Sequence, residues 1–136
     1  MDVTQNVQFF KEDSEHTDWD YPTPFDYIHL RCVLSCFDDH RTVMRKSFEN
    51  LRPGGWIELM DPDYYAQCTD GTLEGTYLER LFQTLQKAMS GLGKDLRVAR
   101  KYKQWLIETG FVDVVEEVIP SPGKLNPTHD VTEDHD

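Results

Sequence analysis

The sequence predicts an α/β chain with a largely parallel sheet, and three observations carry that expectation. β-rich apolar runs alternate with segments whose apolar residues recur at steps of three and four. A helix and a strand are separated by the abrupt turn "RPGG". No segment repeats another, which leaves strand–helix alternation as the organising pattern.

In chain order, "NVQFFKED" at residues 6–13 reads as a short strand ending on two carboxylates, followed by a polar loop. "FDYIHL" at residues 25–30 follows Pro24 and carries Phe25, Tyr27, Ile28 and Leu30, which suit a second strand. Asp38 and Asp39 stand where a helix cap belongs. Val43, Met44, Phe48 and Leu51 then fall on one helical stripe over residues 41–51. Pro53 lacks an N–H and disfavours helical geometry at Arg52, and the two glycines permit the reversal into the strand "WIELM".

Residues 75–92 form the longest periodic segment. Leu78, Leu81, Phe82, Leu85, Met89 and Leu92 predict a helix packed into the core. "SGLGKD" interrupts it, and Val98, Ala99, Tyr102, Trp105 and Leu106 predict another helix closed by Gly110. "FVDVVEEVI" at residues 111–119 reads as a last strand stopped by Pro120. Residues 120–136 are acidic and poor in apolar side chains, and are expected to form a flexible tail after a domain over residues 1–119.

The 136 residues suffice for one core. A formal charge of −11, from 25 acidic and 14 basic residues, argues against direct nucleic-acid binding or an anionic membrane surface, both of which need clustered Lys and Arg. Three cysteines make no even disulfide set, and no leader or long apolar run is evident, so an intracellular chain, cytoplasmic or nuclear, is expected. Cys32 and Cys36 have no second ligand pair, so they read as buried free thiols and no metal site is expected. His129 and His135 read as solvated tail residues. In an open parallel sheet ligands sit beyond the C-terminal strand ends, which directs attention to Glu12 and Asp13, to His29–Arg31 and to Asp61–Asp63.

Taken in order, "FFKEDSEHTDW", "FDYIHLR", "NLRPGGWIELMD" and "ETGFVDV" resemble the class I S-adenosylmethionine-dependent methyltransferases, and within them the methyltransferase-like regulators of secondary metabolism in filamentous fungi. The resemblance spans about residues 6–119 and implies a partial Rossmann-like sheet covering the third to sixth strand region, with flanking helices. It implies S-adenosylmethionine as cofactor, with Asp13, beside Glu12 and Ser14, at the position that meets adenine. A carboxylate there can accept from the adenine amino group while a backbone N–H donates to a ring nitrogen. His29, Leu30 and Arg31 correspond to the end of the family's fourth strand, near the methionine part of the cofactor. The family's glycine-rich cofactor loop and first two strands find no counterpart, and "GLGKD" follows a helix and lacks the G-x-G-x-x-G spacing.

The family's sheet sets the fourth strand beside the fifth and gives the third and sixth other neighbours. The resemblance therefore implies a truncated chain, or one completed by a protein partner, that binds cofactor weakly or not at all by itself. The acceptor, a small molecule or a protein, is not specified. The competing expectation is a non-catalytic interaction protein derived from a methyltransferase, and a third is an unrelated small α/β module. His29 reads as a packed or hydrogen-bonded strand residue rather than a catalytic base, since a lone histidine specifies no reaction, and Arg31 as an ion-pair partner rather than a ligand for the methionine carboxylate. Tyr64 and Tyr65 read as pocket walls or as loop anchors.

Overall fold

A computed structural model describes residues 6–120. Two strands, β1 (Phe25–Arg31) and β2 (Leu51–Met60), pair in parallel around the helix α1 (His40–Asn50). Two further helices follow, α2 (Tyr77–Gly91) and α3 (Tyr102–Thr109), the latter entered through a 3₁₀ turn at Val98–Lys101. The α/β architecture and the parallel pairing of the family's fourth and fifth strand positions are as the sequence predicts.

α1 begins where the paired aspartates place it. Asp39 is the N-cap, its carboxylate accepting from the Arg41 N–H at 3.0 Å, and Val43, Met44 and Ser47 are fully buried. The Ser47 hydroxyl donates to the Val43 carbonyl at 2.8 Å, so this buried polar group is satisfied inside its own helix. Leu34, Met44, Leu96, Val98, Tyr102 and Leu106 form the core, with Ile57, Leu59 and Met89 packed against it.

The "RPGG" stretch lies inside β2 rather than before it. Phe25 pairs with Leu51 and Tyr27 with Trp56, so Asp26 alone faces four residues of β2. Such a bulge ejects the extra residues from the ladder, and an Arg52–Asp26 ion pair spans it. Gly54 has a φ of +81°, and a Cβ on Gly55 would stand 2.9 Å from the Arg52 carbonyl oxygen and 3.1 Å from that of Asp26. Glycine is required at one position by conformation and at the next by lack of space.

Several expectations are corrected. Residues 6–13 are not a strand: Phe9 and Phe10 are exposed, and no described strand runs beside them to complete a ladder. Residues 111–119 are not a strand either, because Asp113 sits at a φ of +53° and breaks the extended run. Phe111 and Val114 still reach the core, while Val112, Val115, Val118 and Ile119 face solvent. The stripe of α2 is not core, since no residue of that helix is buried. Cys32 and Cys36 are exposed free thiols, because the chain leaves the sheet at Cys32 with a φ of +56° and turns outward. The predicted tail, with His129 and His135, lies outside the described residues apart from Pro120.

One face of the sheet meets the core through Ile28, Ile57 and Leu59. The other carries Tyr27, His29 and Arg31 opposite Trp56, Glu58 and Met60 and is open, with Trp56 67% exposed. No helix among the described residues is long and apolar enough to cross a membrane.

Replacing Gly55 with Ala is expected to cost about 1–3 kcal/mol, since two backbone carbonyls as well as the Leu51 side chain would have to move out of the way. Urea unfolding of the variant against wild type measures it, and an unchanged midpoint would contradict the tight bulge.

Candidate functional site

The C-terminal ends of the two parallel strands are joined by one carboxylate. Asp61, the first residue beyond β2, accepts from the Val33 N–H at 2.7 Å through Oδ1 and from the Tyr102 hydroxyl at 2.7 Å through Oδ2. The Cys32 N–H donates to the Met60 carbonyl at 3.0 Å just before that junction. Burial, and then the Asp61 carboxylate, push the Tyr102 phenol far above its usual range, so it stays protonated and remains a donor.

His40, the first residue of α1, closes the same junction. It is 6% exposed, and its ring stands among Phe37, Tyr102 and Trp105 at centroid distances of 5.3, 5.5 and 6.3 Å. Nε2 lies 3.2 Å from the Val33 carbonyl oxygen, which can only accept, so Nε2 carries the proton. Burial lowers its pKa below the usual 6.5, against smaller opposing effects of the Val33 carbonyl and of Asp61, Glu15 and Asp39.

The segment bearing Glu12, Asp13 and Ser14 is a built turn. Asp13 Oδ1 accepts from the Glu15 and His16 N–H groups, each at 3.0 Å, and both carboxylate oxygens lie 3.2 Å from His16 Nδ1. The backbone bond from His16 is the main cause that holds the Asp13 carboxyl below its ordinary value, so it is ionised at neutral pH. Ser14 gives its carbonyl to the Trp19 indole at 3.0 Å, and Glu12 accepts from the Tyr21 hydroxyl at 3.2 Å. Glu15 then ties the turn to α1: its carboxylate accepts from the Asp38 and Asp39 N–H groups at 2.8 and 2.6 Å. Lys46 reinforces the tie by donating to the Glu15 and Thr17 carbonyls.

The two predicted cofactor clusters are thus held by different devices. Among the described residues no hydrogen bond or ion pair joins Glu12–Asp13–Ser14 to His29–Leu30–Arg31. His29 lies on the open sheet face with Nε2 3.9 Å from Glu58, whose carboxylate also accepts from the Tyr27 hydroxyl. Leu30 is half-buried and Arg31 exposed. The ion pair expected for Arg31 is not formed among the described residues, because its neighbour across the ladder is Met60. Tyr64 and Tyr65 are anchors: the Tyr64 carbonyl accepts from Gln86 at 2.8 Å, and Arg97 covers the Tyr65 ring at 4.1 Å.

Sequence reasoning pointed to Asp61 but missed His40, Tyr102 and Trp105 as its neighbours. Tyr102 and Trp105 were legible only as helix-stripe residues, and His40 had no signal beyond following the cap. A cleft of about 250 Å³ opens beside them, lined by Phe37, Asp38, Lys94, Asp95, Lys101 and Trp105. Its charges are already matched, Lys94 with Asp38 at 2.6 Å and Lys101 with Asp95 at 2.8 Å. Glu15, His16 and Asp38 could converge on a cation, but Glu15 already holds two N–H groups and Asp38 an ammonium.

A family model described as "Methyltransferase domain" matches residues 2–117. The chain is 30% identical over 118 residues to methyltransferase pytC of Aspergillus terreus, covering 86% of this chain and 36% of that protein. It is 31% identical over 96 residues to the probable methyltransferase tdiE of Emericella nidulans, covering 70% and 30%. Protein-methionine methyltransferase laeA of the same organism is 28% identical over 106 residues, covering 77% and 28%. The chain therefore spans about a third of the length of the curated relatives it matches. No solved structure matches.

Tyr102→Phe keeps the ring and strands one oxygen of Asp61. It is expected to destabilise the fold by about 1.5–3 kcal/mol, the usual worth of a hydrogen bond to a charged group, in chemical denaturation. For His40 the folded pKa is depressed, so the unfolded chain binds the extra proton first as pH falls, and stability drops below about pH 6.5. Denaturation midpoints at about pH 7.5 and 5.5 should diverge in wild type and converge in His40→Gln.

Proposed function

Because this chain belongs to the methyltransferase domain family, matched over residues 2–117, we propose that it supplies part of an S-adenosylmethionine-dependent methyl-transfer site. The observation that carries the reading is that family match over a chain whose β1–α1–β2 unit is parallel, with polar groups gathered beyond its strand ends. In this reading Glu12, Asp13 and Ser14 meet the adenine end of the cofactor. Asp13 Oδ1 is committed to its own turn, whereas Oδ2 has contact only with His16 and keeps lone pairs for the adenine amino group. His29, Leu30 and Arg31 form the wall near the methionine part, the exposed Arg31 suiting a carboxylate.

The cofactor, when bound, supplies the electrophilic methyl group. The protein's part is to hold the acceptor in line with it, and positioning of this kind accounts for much of the rate in a two-reactant transfer. The acceptor is a small molecule or a protein side chain. That the chain spans about a third of the length of the curated relatives it matches supports a partial site, of weak affinity and little turnover alone. The same reading places the chain inside the cell, in the cytoplasm or the nucleus. A role near secondary metabolism is supported by its similarity to laeA, named a secondary metabolism regulator in Monascus pilosus, to which it is 30% identical over 106 residues.

A second reading, a non-catalytic interaction protein completed by a protein partner, is supported by the open sheet face and the exposed valines of residues 112–118.

Calorimetry with S-adenosylhomocysteine tests the first reading. The chain is expected to bind in the high-micromolar to millimolar range, about 4–6 kcal/mol, and Asp13→Ala, verified as folded, to weaken this about tenfold. Equal binding by wild type and variant would remove Asp13 from the site. Sustained multiple turnover by the isolated chain would overturn the partial-site reading.

A further inference from the structure

Two arginines converge on one carboxylate just beyond β2. Arg97 sets Nε 3.0 Å from Asp63 Oδ1 and Nη2 3.3 Å from Oδ2, and Arg100 brings its Nε to 3.2 Å from the same Oδ2. Arg97 leads into the 3₁₀ turn and Arg100 lies within it, its N–H donating to the Arg97 carbonyl at 3.2 Å. Side chains three apart in such a turn are eclipsed, so both guanidinium groups reach the same side.

The second arginine is surplus to holding this loop. The Tyr65 N–H donates to the Asp63 carbonyl at 2.7 Å, Gln86 donates to the Tyr64 carbonyl at 2.8 Å, and Arg97 both grips Asp63 and covers the Tyr65 ring. Arg100 is 59% exposed, and neither of its Nη groups makes a hydrogen bond among the described residues. The neighbouring Lys101 is matched by Asp95 at 2.8 Å. Two guanidinium groups against one carboxylate leave a positive charge unmatched, in a chain whose formal charge is −11.

We infer that Arg97 and Arg100 form a subsite for the carboxylate of the methyl acceptor. Its place follows from the sheet: Asp63 stands just past the end of β2, and ligands of parallel sheets lie beyond the C-terminal strand ends. Its chemistry follows from the donors. The planar Nη groups of Arg100 suit the two oxygens of a carboxylate. A single carboxylate matches the surplus charge, whereas a phosphate dianion overshoots it beside Asp63 and Asp95. That the carboxylate belongs to an acceptor rests on the methyl-transfer reading above; the subsite itself does not.

The test follows the arginine Nε–H signals of the full chain by NMR at low salt, without cofactor. The chain is titrated with butyrate, with a blocked tripeptide carrying one glutamate, and with inorganic phosphate. Butyrate is expected to shift the Arg97 and Arg100 signals saturably with a midpoint of about 10 mM. Arg80, which has no carboxylate partner among the described residues, is the lone-guanidinium control and should need about tenfold more. Arg100→Gln should weaken the Arg97 response about tenfold while leaving the urea midpoint unchanged, because the ion pair it removes is exposed. Saturation by butyrate supports a small acid as the source, and saturation by the tripeptide alone supports a protein side chain. No saturable shift, the same midpoint at Arg80, phosphate binding tighter than butyrate, or an unaltered response in Arg100→Gln would each overturn the subsite. Failure here leaves the methyl-transfer reading standing, and failure of S-adenosylhomocysteine binding leaves the subsite standing.

Discussion

The Asp61 carboxylate holds together the chain beyond the C-terminal ends of the two strands. Two parallel strands joined by a crossover helix have no hairpin to keep their ends in place, so the chain beyond each strand needs another tie. Asp61 provides it by accepting from Val33, just past β1, and from Tyr102, at the start of α3. Three segments distant in sequence are thereby fixed by one side chain, and His40 caps the arrangement from α1 through the Val33 carbonyl. A carboxylate suits this role because its two oxygens accept in different directions at once.

The N-terminal turn is joined to that frame by similar chemistry used the other way round. Glu15 brings its carboxylate to the backbone N–H groups before α1, so residues 12–17 are pinned to a helix start rather than to a neighbouring strand. Phe9 and Phe10 remain exposed although the polar residues after them are well ordered by hydrogen bonds. Polar ties, not burial, set the position of Asp13. The open sheet face, the outer stripe of α2 and the valines after Asp113 show the converse, apolar surfaces shaped for packing that the described residues do not cover.

Parts of this arrangement were legible residue by residue. Asp39 before a stripe of Val43 and Met44 announced α1, and "FDYIHL" and "WIELM" announced strands that do pair. The motif order carried the family, which the domain match bears out. The bulge was not legible: "RPGG" signals a turn, and only the register Phe25–Leu51 and Tyr27–Trp56 shows those residues bulging within a ladder. Nor were Tyr102 and His40 separable from ordinary stripe and cap residues, since their partners lie 41 and 7 positions away.

The sequence by itself determined the α/β class, the helices, the parallel β1–α1–β2 unit and the methyltransferase family, because periodicity, caps and motif order are local properties that each segment carries. The tertiary structure decided which β-rich runs became strands, that the stripe of α2 stays out of the core and where the thiols point. Those outcomes depend on partners: a strand forms only where another backbone completes its ladder, and a stripe is core only where a facing surface excludes water.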